Sequence, residues 1–227
     1  MAHTVAPPIL DWFEAEAAFR ERVERLVPGS QAILDVGGGS HPFLSKEQRA
    51  RARYVGLDIS AEELAAAAGN YDETVVSAVE VMHPELAGRF DLAISWQVLE
   101  HVTDLALTIE NVRAYLKPGG TFAAQFSARW SIFGVINRVT PEPLRNTLLR
   151  LGTGRSRRFP APYHRGYLKA FLPLFDHWAH VEVVPMYCAY GYLGRIPPLA
   201  SAYRALEQGV FTKYPNLASH YQIYARA

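Results

Sequence analysis

The 227-residue chain has one cysteine, Cys188. A lone thiol can neither close an internal disulfide nor build a cysteine zinc cluster, so a reducing compartment is expected, with Cys188 a buried thiol. Excess charge of one sign is also missing. The 23 Lys and Arg against 22 Asp and Glu leave a formal charge of +1, which removes the broad electropositive footprint of a general nucleic-acid binder. No nucleic-acid partner is expected, although a local basic patch stays open. No segment reaches the apolar length that spans a bilayer, and the opening "MAHTVAPPILDWFEAEAAFRERVERL" lacks a basic region followed by an apolar core. A cytoplasmic protein without a membrane span is the expectation. With 49% apolar residues, the chain can bury the core of one domain.

Short apolar runs alternate with helical patterns in the first half. Phe13, Ala17 and Val23 suggest an amphipathic helix within residues 1–29, ended by "PGS" at Pro28 to Ser30. The runs "AILDV" (32–36), "RYVGLD" (53–58), "ETVVSAV" (73–79), "FDLAISW" (90–96) and "TFAAQF" (121–126) read as strands, those at 32–36 and 53–58 of the buried parallel type. A segment able to form a helix lies between the first two. "SAEELAAAAG" gives a helix, with Ser60 and Glu63 at capping-box spacing and Gly69 at its end. Leu105, Ile109, Val112 and Leu116 share one face of another, stopped by Pro118, Gly119 and Gly120. Such alternation predicts an α/β, Rossmann-like, doubly wound sheet with its ligand core over residues 30–126. Residues 127–179, aromatic and arginine-rich, are expected to be a helical or irregular insertion over the sheet, and 180–227 a closing pair of strands.

"AILDVGGGSHPFL" ends a strand on three glycines. Gly37, Gly38 and Gly39 let the main chain turn tightly and approach a ligand, and a helix after them could offer free amides. A purely structural turn remains an equal reading of this feature alone. Asp58 closes the next strand about twenty residues on, the spacing at which a carboxylate takes both hydroxyls of a ribose. Together these favour a nucleoside cofactor. The dinucleotide fingerprint fits at Gly37 and Gly39 but has Pro42 at its last position, which disfavours nicotinamide cofactors.

Over Gln31 to Phe126 the chain resembles the class I S-adenosylmethionine-dependent methyltransferases of the small-molecule, methyltransferase type 11-like branch. The residues that carry the likeness are "LDVGGGS", "GLDIS", "FDLAISWQVLEHV" and "LKPGGTF", in that order. The resemblance implies a mostly parallel seven-stranded sheet whose last strand is antiparallel, with S-adenosyl-L-methionine as cofactor. By that likeness Asp35, Gly37, Gly38 and Gly39 line the methionine end, Asp58 holds the ribose, and Ile59 lies against the adenine. Val79 and Glu80 stand where relatives contact the adenine amino group, and Ser95, Trp96 and Gln97 lie beside the donor. His41 either faces the methionine carboxylate or caps a helix.

The resemblance implies methyl transfer to an oxygen, or secondarily a nitrogen, of a small-molecule acceptor. In-line displacement needs close alignment first, and a general base only where the acceptor keeps a proton. The candidates for that base are His164, His101 and Tyr163; the alternative for His164 is a solvated helix start, and for His101 a structural motif residue. "QVLEH" resembles the metal-binding ExxEH pattern with Gln97 in place of its first glutamate, so a hard divalent ion is not expected. Arg145, Arg150, Arg155, Arg157, Arg158 and Arg165 could grip an anionic acceptor, and Trp130, Phe133, Tyr187, Tyr190 and Tyr192 could wall an aromatic one. Solvated surface and core are the respective alternatives. An NAD(P)-dependent oxidoreductase and a non-catalytic methyltransferase-like scaffold are the rival readings of the whole chain.

Overall fold

The computed structural model describes residues 2–49, 51–67, 69–130, 135, 162, 165–193 and 197–227. Eight strands form one sheet: β1 (Ala2–Val5), β2 (Ala32–Val36), β3 (Arg53–Asp58), β4 (Glu73–Val76), β5 (Phe90–Trp96), β6 (Leu116–Ser127), β7 (His180–Met186) and β8 (His220–Arg226). Their order is β1-β7-β8-β6-β5-β2-β3-β4. All neighbours are parallel except β8, which runs antiparallel to both β6 and β7. The doubly wound sheet and the antiparallel closing pair are therefore as expected. The count is eight rather than seven because Ala2–Val5 pairs with Ala2 opposite His180 and Val5 opposite Val183. Four residues ahead of a proline pair carry little strand signal, and the open edge of β7 supplies the backbone partners.

The chain leaves β2 for β3 on one side and returns to β5 on the other, so the sheet reverses direction between the ends of β2 and β5. Ligands of such sheets bind beyond the carboxyl ends at that reversal.

Helix α1 (Trp12–Leu26) starts where Asp11 Oδ1 accepts the amides of Phe13 at 2.9 Å and Glu14 at 3.1 Å. Its buried stripe is Ala15, Phe19 and Val23, while Phe13 is 79% exposed and Ala17 is exposed. The expected stripe was out of phase. Ala15, Phe19 and Val23 follow each other at one helical turn, a register that Phe13 and Ala17 cannot share with Val23. Helix α2 (Ala61–Ala66) begins on Ser60, whose hydroxyl accepts the Glu63 amide at 3.2 Å, and α3 (Leu105–Tyr115) begins on Asp104. Leu105, Ile109 and Val112 are buried on one face of α3 as expected, but the helix ends at Tyr115: Leu116, also buried, opens β6, and Pro118, Gly119 and Gly120 lie in that strand rather than stopping the helix.

Two further features differ. Strand β4 stops at Val76, three residues short of the expected end. No helix follows the glycines within residues 37–49; Pro42 and Pro-adjacent turns interrupt the ladder a helix would need. Within residues 127–179, α4 (Leu168–Phe171) and the following turn bury Phe171, Phe175 and Trp178 against the sheet. Each such ring removes roughly 2–3 kcal/mol worth of apolar surface from water. Between β7 and β8 lies α5 (Pro197–Gly209). No described helix is long and apolar enough to cross a membrane.

One face of the sheet packs on α3 and α4 through Phe90, Phe122, Phe126 and Tyr221. The other packs on α1, α2 and the post-glycine loop through Phe19, Phe43, Tyr54 and Tyr71.

Candidate functional site

Gly37 and Gly39 have φ of +75° and +49°, a region that other residues enter only at a cost. Close approach adds to that requirement. A β-carbon on Gly37 would stand 2.4 Å from Val98 Cγ2, and one on Gly38 2.3 Å from the Tyr71 hydroxyl. The loop thus lies pressed between the segment after β5 and the tyrosines beneath it.

Asp35 is 1% exposed and does not line the open side of this loop. Its Oδ2 accepts from the Phe43 amide at 2.9 Å, the Tyr54 hydroxyl at 2.5 Å and the Tyr71 hydroxyl at 3.3 Å. The Leu44 amide in turn donates to the Tyr54 oxygen at 3.1 Å. Burial pushes the Asp35 carboxyl up to about 6 despite the opposing pull of those donors. Donors from β3, from the turn before β4 and from the loop itself enclose the carboxylate, which secures the loop from below.

Asp58 is half-buried at the tip of β3. Its Oδ1 accepts the Ser60 amide at 2.8 Å, and the main chain of Gly39 beside it opposes the rise in its pKa. Burial raises its pKa, with Glu63 adding in the same direction. Ile59 is 63% exposed on the adjoining lip. Ser40 donates to Glu63 and contacts the exposed His41 ring at 2.9 Å, so with no helix behind it His41 caps none. Val79, 6% exposed, packs in the core with its carbonyl on Asn111 Nδ2 at 2.9 Å. Glu80 accepts the Thr103 amide at 2.8 Å and its hydroxyl at 3.1 Å. Those contacts place the Val79 side chain in the core and make Glu80 brace the segment before α3.

Where β5 ends, Gln97 takes φ of +57° although it carries a full side chain. Its Oε1 accepts from Ser127 Oγ at 3.0 Å, while its Nε2 is buried without a partner. Ser95 is fully buried and its hydroxyl is likewise unpartnered. Glu100, 4% exposed, accepts the Ser127 amide at 3.3 Å through Oε1, leaving Oε2 unpartnered, and burial raises its pKa. Trp96 packs among Trp12, Phe19 and Phe43. The structure thus brings Gly37–Gly39, Asp58, Ile59, Ser95, Trp96 and Gln97 to neighbouring strand ends.

His101 follows Glu100 in the same turn, with its amide on the Val98 carbonyl at 2.8 Å. His164, Tyr163, Phe133, Arg145, Arg150, Arg155, Arg157 and Arg158 lie outside the described residues. Arg165 is exposed, with φ of +53°. Trp130 is 42% exposed and stands beside Tyr167. Tyr187 is core, Tyr190 donates to Asp11 at 3.0 Å, and Tyr192 sits in the turn after β7. Cys188 is buried, its thiol pushed up to about 12 by burial.

Sequence reasoning missed Tyr54, Tyr71, Gln125 and Trp12. Gln125 is fully buried on β6. Its Oε1 accepts from Gln222 Nε2 at 2.7 Å, Gln222 also donates to the Ala15 carbonyl at 2.7 Å, and Tyr224 donates to Gln222 at 2.9 Å. That chain fixes which end of the Gln125 amide faces away, and its Nε2 has no partner. A glutamine inside the run "TFAAQF" is a signal that was there to be read, since a buried amide in a strand needs a reason.

A family model described as a methyltransferase domain matches residues 12–166. The ubiquinone biosynthesis O-methyltransferase of Nitrobacter winogradskyi is 32% identical over 108 residues, 45% of this chain and 41% of that protein. Its namesake in Rhodopseudomonas palustris strain TIE-1 is 30% identical over 164 residues, 64% of each. The chain thus spans less than two thirds of the length of these relatives. Among solved structures, an S-adenosylmethionine-dependent methyltransferase from Mesorhizobium loti superposes with a TM-score of 0.53 at 20% identity, covering 93% of this chain and 99% of that one. The geranyl diphosphate C-methyltransferase of Streptomyces coelicolor A3(2), in complex with Mg2+, geranyl diphosphate and S-adenosyl-L-homocysteine, gives 0.55 at 14%, covering 94% and 77%. At those identities the likeness is one of fold.

Proposed function

Since the chain belongs to the methyltransferase-domain family, matched over residues 12–166, we propose that it transfers a methyl group from S-adenosylmethionine to an oxygen of a small-molecule acceptor. One observation carries the choice of cofactor. The glycine loop meets a carboxylate on the next strand tip, yet no helix start follows it within residues 37–49. A pyrophosphate needs the free amides of such a start, whereas a nucleoside with an amino-acid tail needs only the carboxylate and a bare main chain. The NAD(P) reading loses support accordingly.

The residues present fit that cofactor. Asp58 offers lone pairs to the ribose hydroxyls, Ile59 an apolar lip to the adenine, and the unpartnered Ser95 Oγ and Gln97 Nε2 offer polar contacts beside the main-chain bend. When bound, the sulfonium supplies an activated methyl group with a good leaving thioether. The chain's own task is then positioning, which can contribute on the order of ten kcal/mol at best. Trp12, Trp96, Phe19 and Phe43 wall the end of β5 and exclude water there. Gln125 Nε2 is a fixed donor for an acceptor oxygen. His101, and His164 beyond the described residues, are the groups proposed to take a proton from a hydroxyl acceptor. The exposed Trp130 favours an aromatic acceptor and Arg165 an anionic one.

Isothermal titration with S-adenosylmethionine, S-adenosylhomocysteine and NAD tests the reading. Heat from the first two and none from NAD is expected. Binding of NAD alone transfers the chain to the oxidoreductase reading, and binding of none leaves the scaffold.

A further inference from the structure

The loop that the proposed function assigns to the donor is held by means the sequence did not announce. A glycine loop at a strand end is commonly stiffened by a helix that starts behind it; here residues 37–49 contain none. In its place the loop returns to Asp35 at Phe43 and to Tyr54 at Leu44, at 2.9 and 3.1 Å. Tyr54 and Tyr71 both donate to the same Asp35 oxygen, their rings stacked with centroids 5.3 Å apart. Tyr71 lies directly under the bend: a β-carbon on Gly38 would fall 2.3 Å from its hydroxyl, and one on Gly56 2.9 Å from its ring. Two glycines thus make room for one tyrosine.

We propose that Tyr54 and Tyr71 are positioning residues for the methyl donor, which hold the glycine loop in its binding shape through an ionised Asp35. The inference rests on the proposed function and concerns this chain's own way of building the site. Three donors converge on one oxygen, an arrangement that suits a carboxylate and weakens when the carboxyl takes a proton and the charge that strengthens those bonds is lost. Burial has already raised Asp35 to about 6. Donor affinity is therefore full above that pH and falls below it.

The other titratable groups around Asp35 are few. They are His41 on the loop, Asp58 at the tip of β3, Glu63 on α2 reaching Ser40, Asp72 before β4, and Arg49, which pairs with Asp72 at 2.8 Å and lies 5.5 Å from the centroid of the Tyr54 ring. Asp58 is the one that could imitate the effect, because burial raises it as well.

The test is titration calorimetry of the full chain with S-adenosylhomocysteine between pH 5 and 7.5. For the unmodified protein, affinity is expected to fall about tenfold from pH 7.5 to 5, one unit below the Asp35 midpoint. Tyr71→Phe and Tyr54→Phe each remove a donor that favours the ionised carboxyl, so both should weaken binding at pH 7.5 by roughly three- to tenfold. Both should also move the midpoint of the pH profile upward, which loss of packing alone does not do. Asp35→Asn keeps the shape but can carry no charge, so it should bind weakly even at pH 7.5, with Asp58 accounting for any pH dependence that remains. A profile in the tyrosine variants that matches the unmodified protein overturns the proposal, as does a folded Asp35→Asn that binds at pH 7.5 as tightly as the unmodified protein. If Asp35→Asn does not fold, the tyrosine midpoints decide. Absence of binding by the unmodified protein at every pH instead contradicts the methyl-donor reading itself.

Discussion

Gly39 and Asp58 meet with no side chain between them: a β-carbon on the glycine would stand 3.2 Å from Asp58 Oδ2. The loop after β2 and the tip of β3 thereby form a single edge. Replacing Asp58 by Ala should weaken S-adenosylhomocysteine binding tenfold to about a hundredfold, the worth of hydrogen bonds to a charged acceptor. Calorimetric affinity equal to that of the unmodified chain contradicts the ribose assignment.

Gly38→Ala places a methyl group 2.3 Å from the Tyr71 hydroxyl and 2.5 Å from Asp35 Oδ2. Both neighbours are buried and tied, so the loop must move. A stability loss of about 1–3 kcal/mol in urea unfolding is expected, together with loss of donor binding. A variant with full stability and affinity means that the loop is not packed as described.

Gln125→Leu exchanges a buried amide that has an unpartnered Nε2 for a side chain of similar volume, and Gln222 keeps the Ala15 carbonyl. The unpartnered amide group goes, but Gln222 Nε2 also loses its 2.7 Å acceptor and keeps a buried N–H without one, so a stability loss of about 1–3 kcal/mol in denaturant titration is expected. Unchanged stability would show that the bond between the two glutamines does not support the core.

His220 is fully buried, and burial lowers its pKa to about 3 from the usual 6.5. Above 6.5 the ring is neutral in both folded and unfolded chains. As the pH falls below that value the unfolded chain binds a proton that the folded one refuses, so stability is lost toward acid. Asp35 acts in the opposite sense, because its folded carboxyl keeps a proton up to about 6. Comparing His220→Gln with the parent isolates the histidine: the variant should gain roughly 3 kcal/mol relative to the parent between pH 7.5 and 4.5. A constant difference across that range contradicts the assignment.

The elements that were legible in the sequence are those whose local pattern and tertiary role coincide. Strands 32–36, 53–58 and 90–96 are buried on both faces and read as largely apolar runs; α3 carries its stripe at helical spacing. Gly37–Gly39 and Asp58 were readable because backbone approach and a strand-end carboxylate each restrict residue type. The rest depended on partners far along the chain. β1 exists because β7 leaves an edge open, α1 turned to bury Phe19 rather than Phe13, and Asp35 was enclosed by tyrosines 19 and 36 positions away. Val79 and Glu80 were placed by likeness to relatives, and nothing in their local pattern announced that their side chains meet the core and Thr103.

The most direct measurement is a crystal structure of the chain soaked with S-adenosylhomocysteine. Density for the ribose against Asp58 and for the amino-acid tail along Gly37–Gly39 is what this reading predicts. A cleft left empty at saturating ligand, or a ligand seated away from both strand tips, contradicts it.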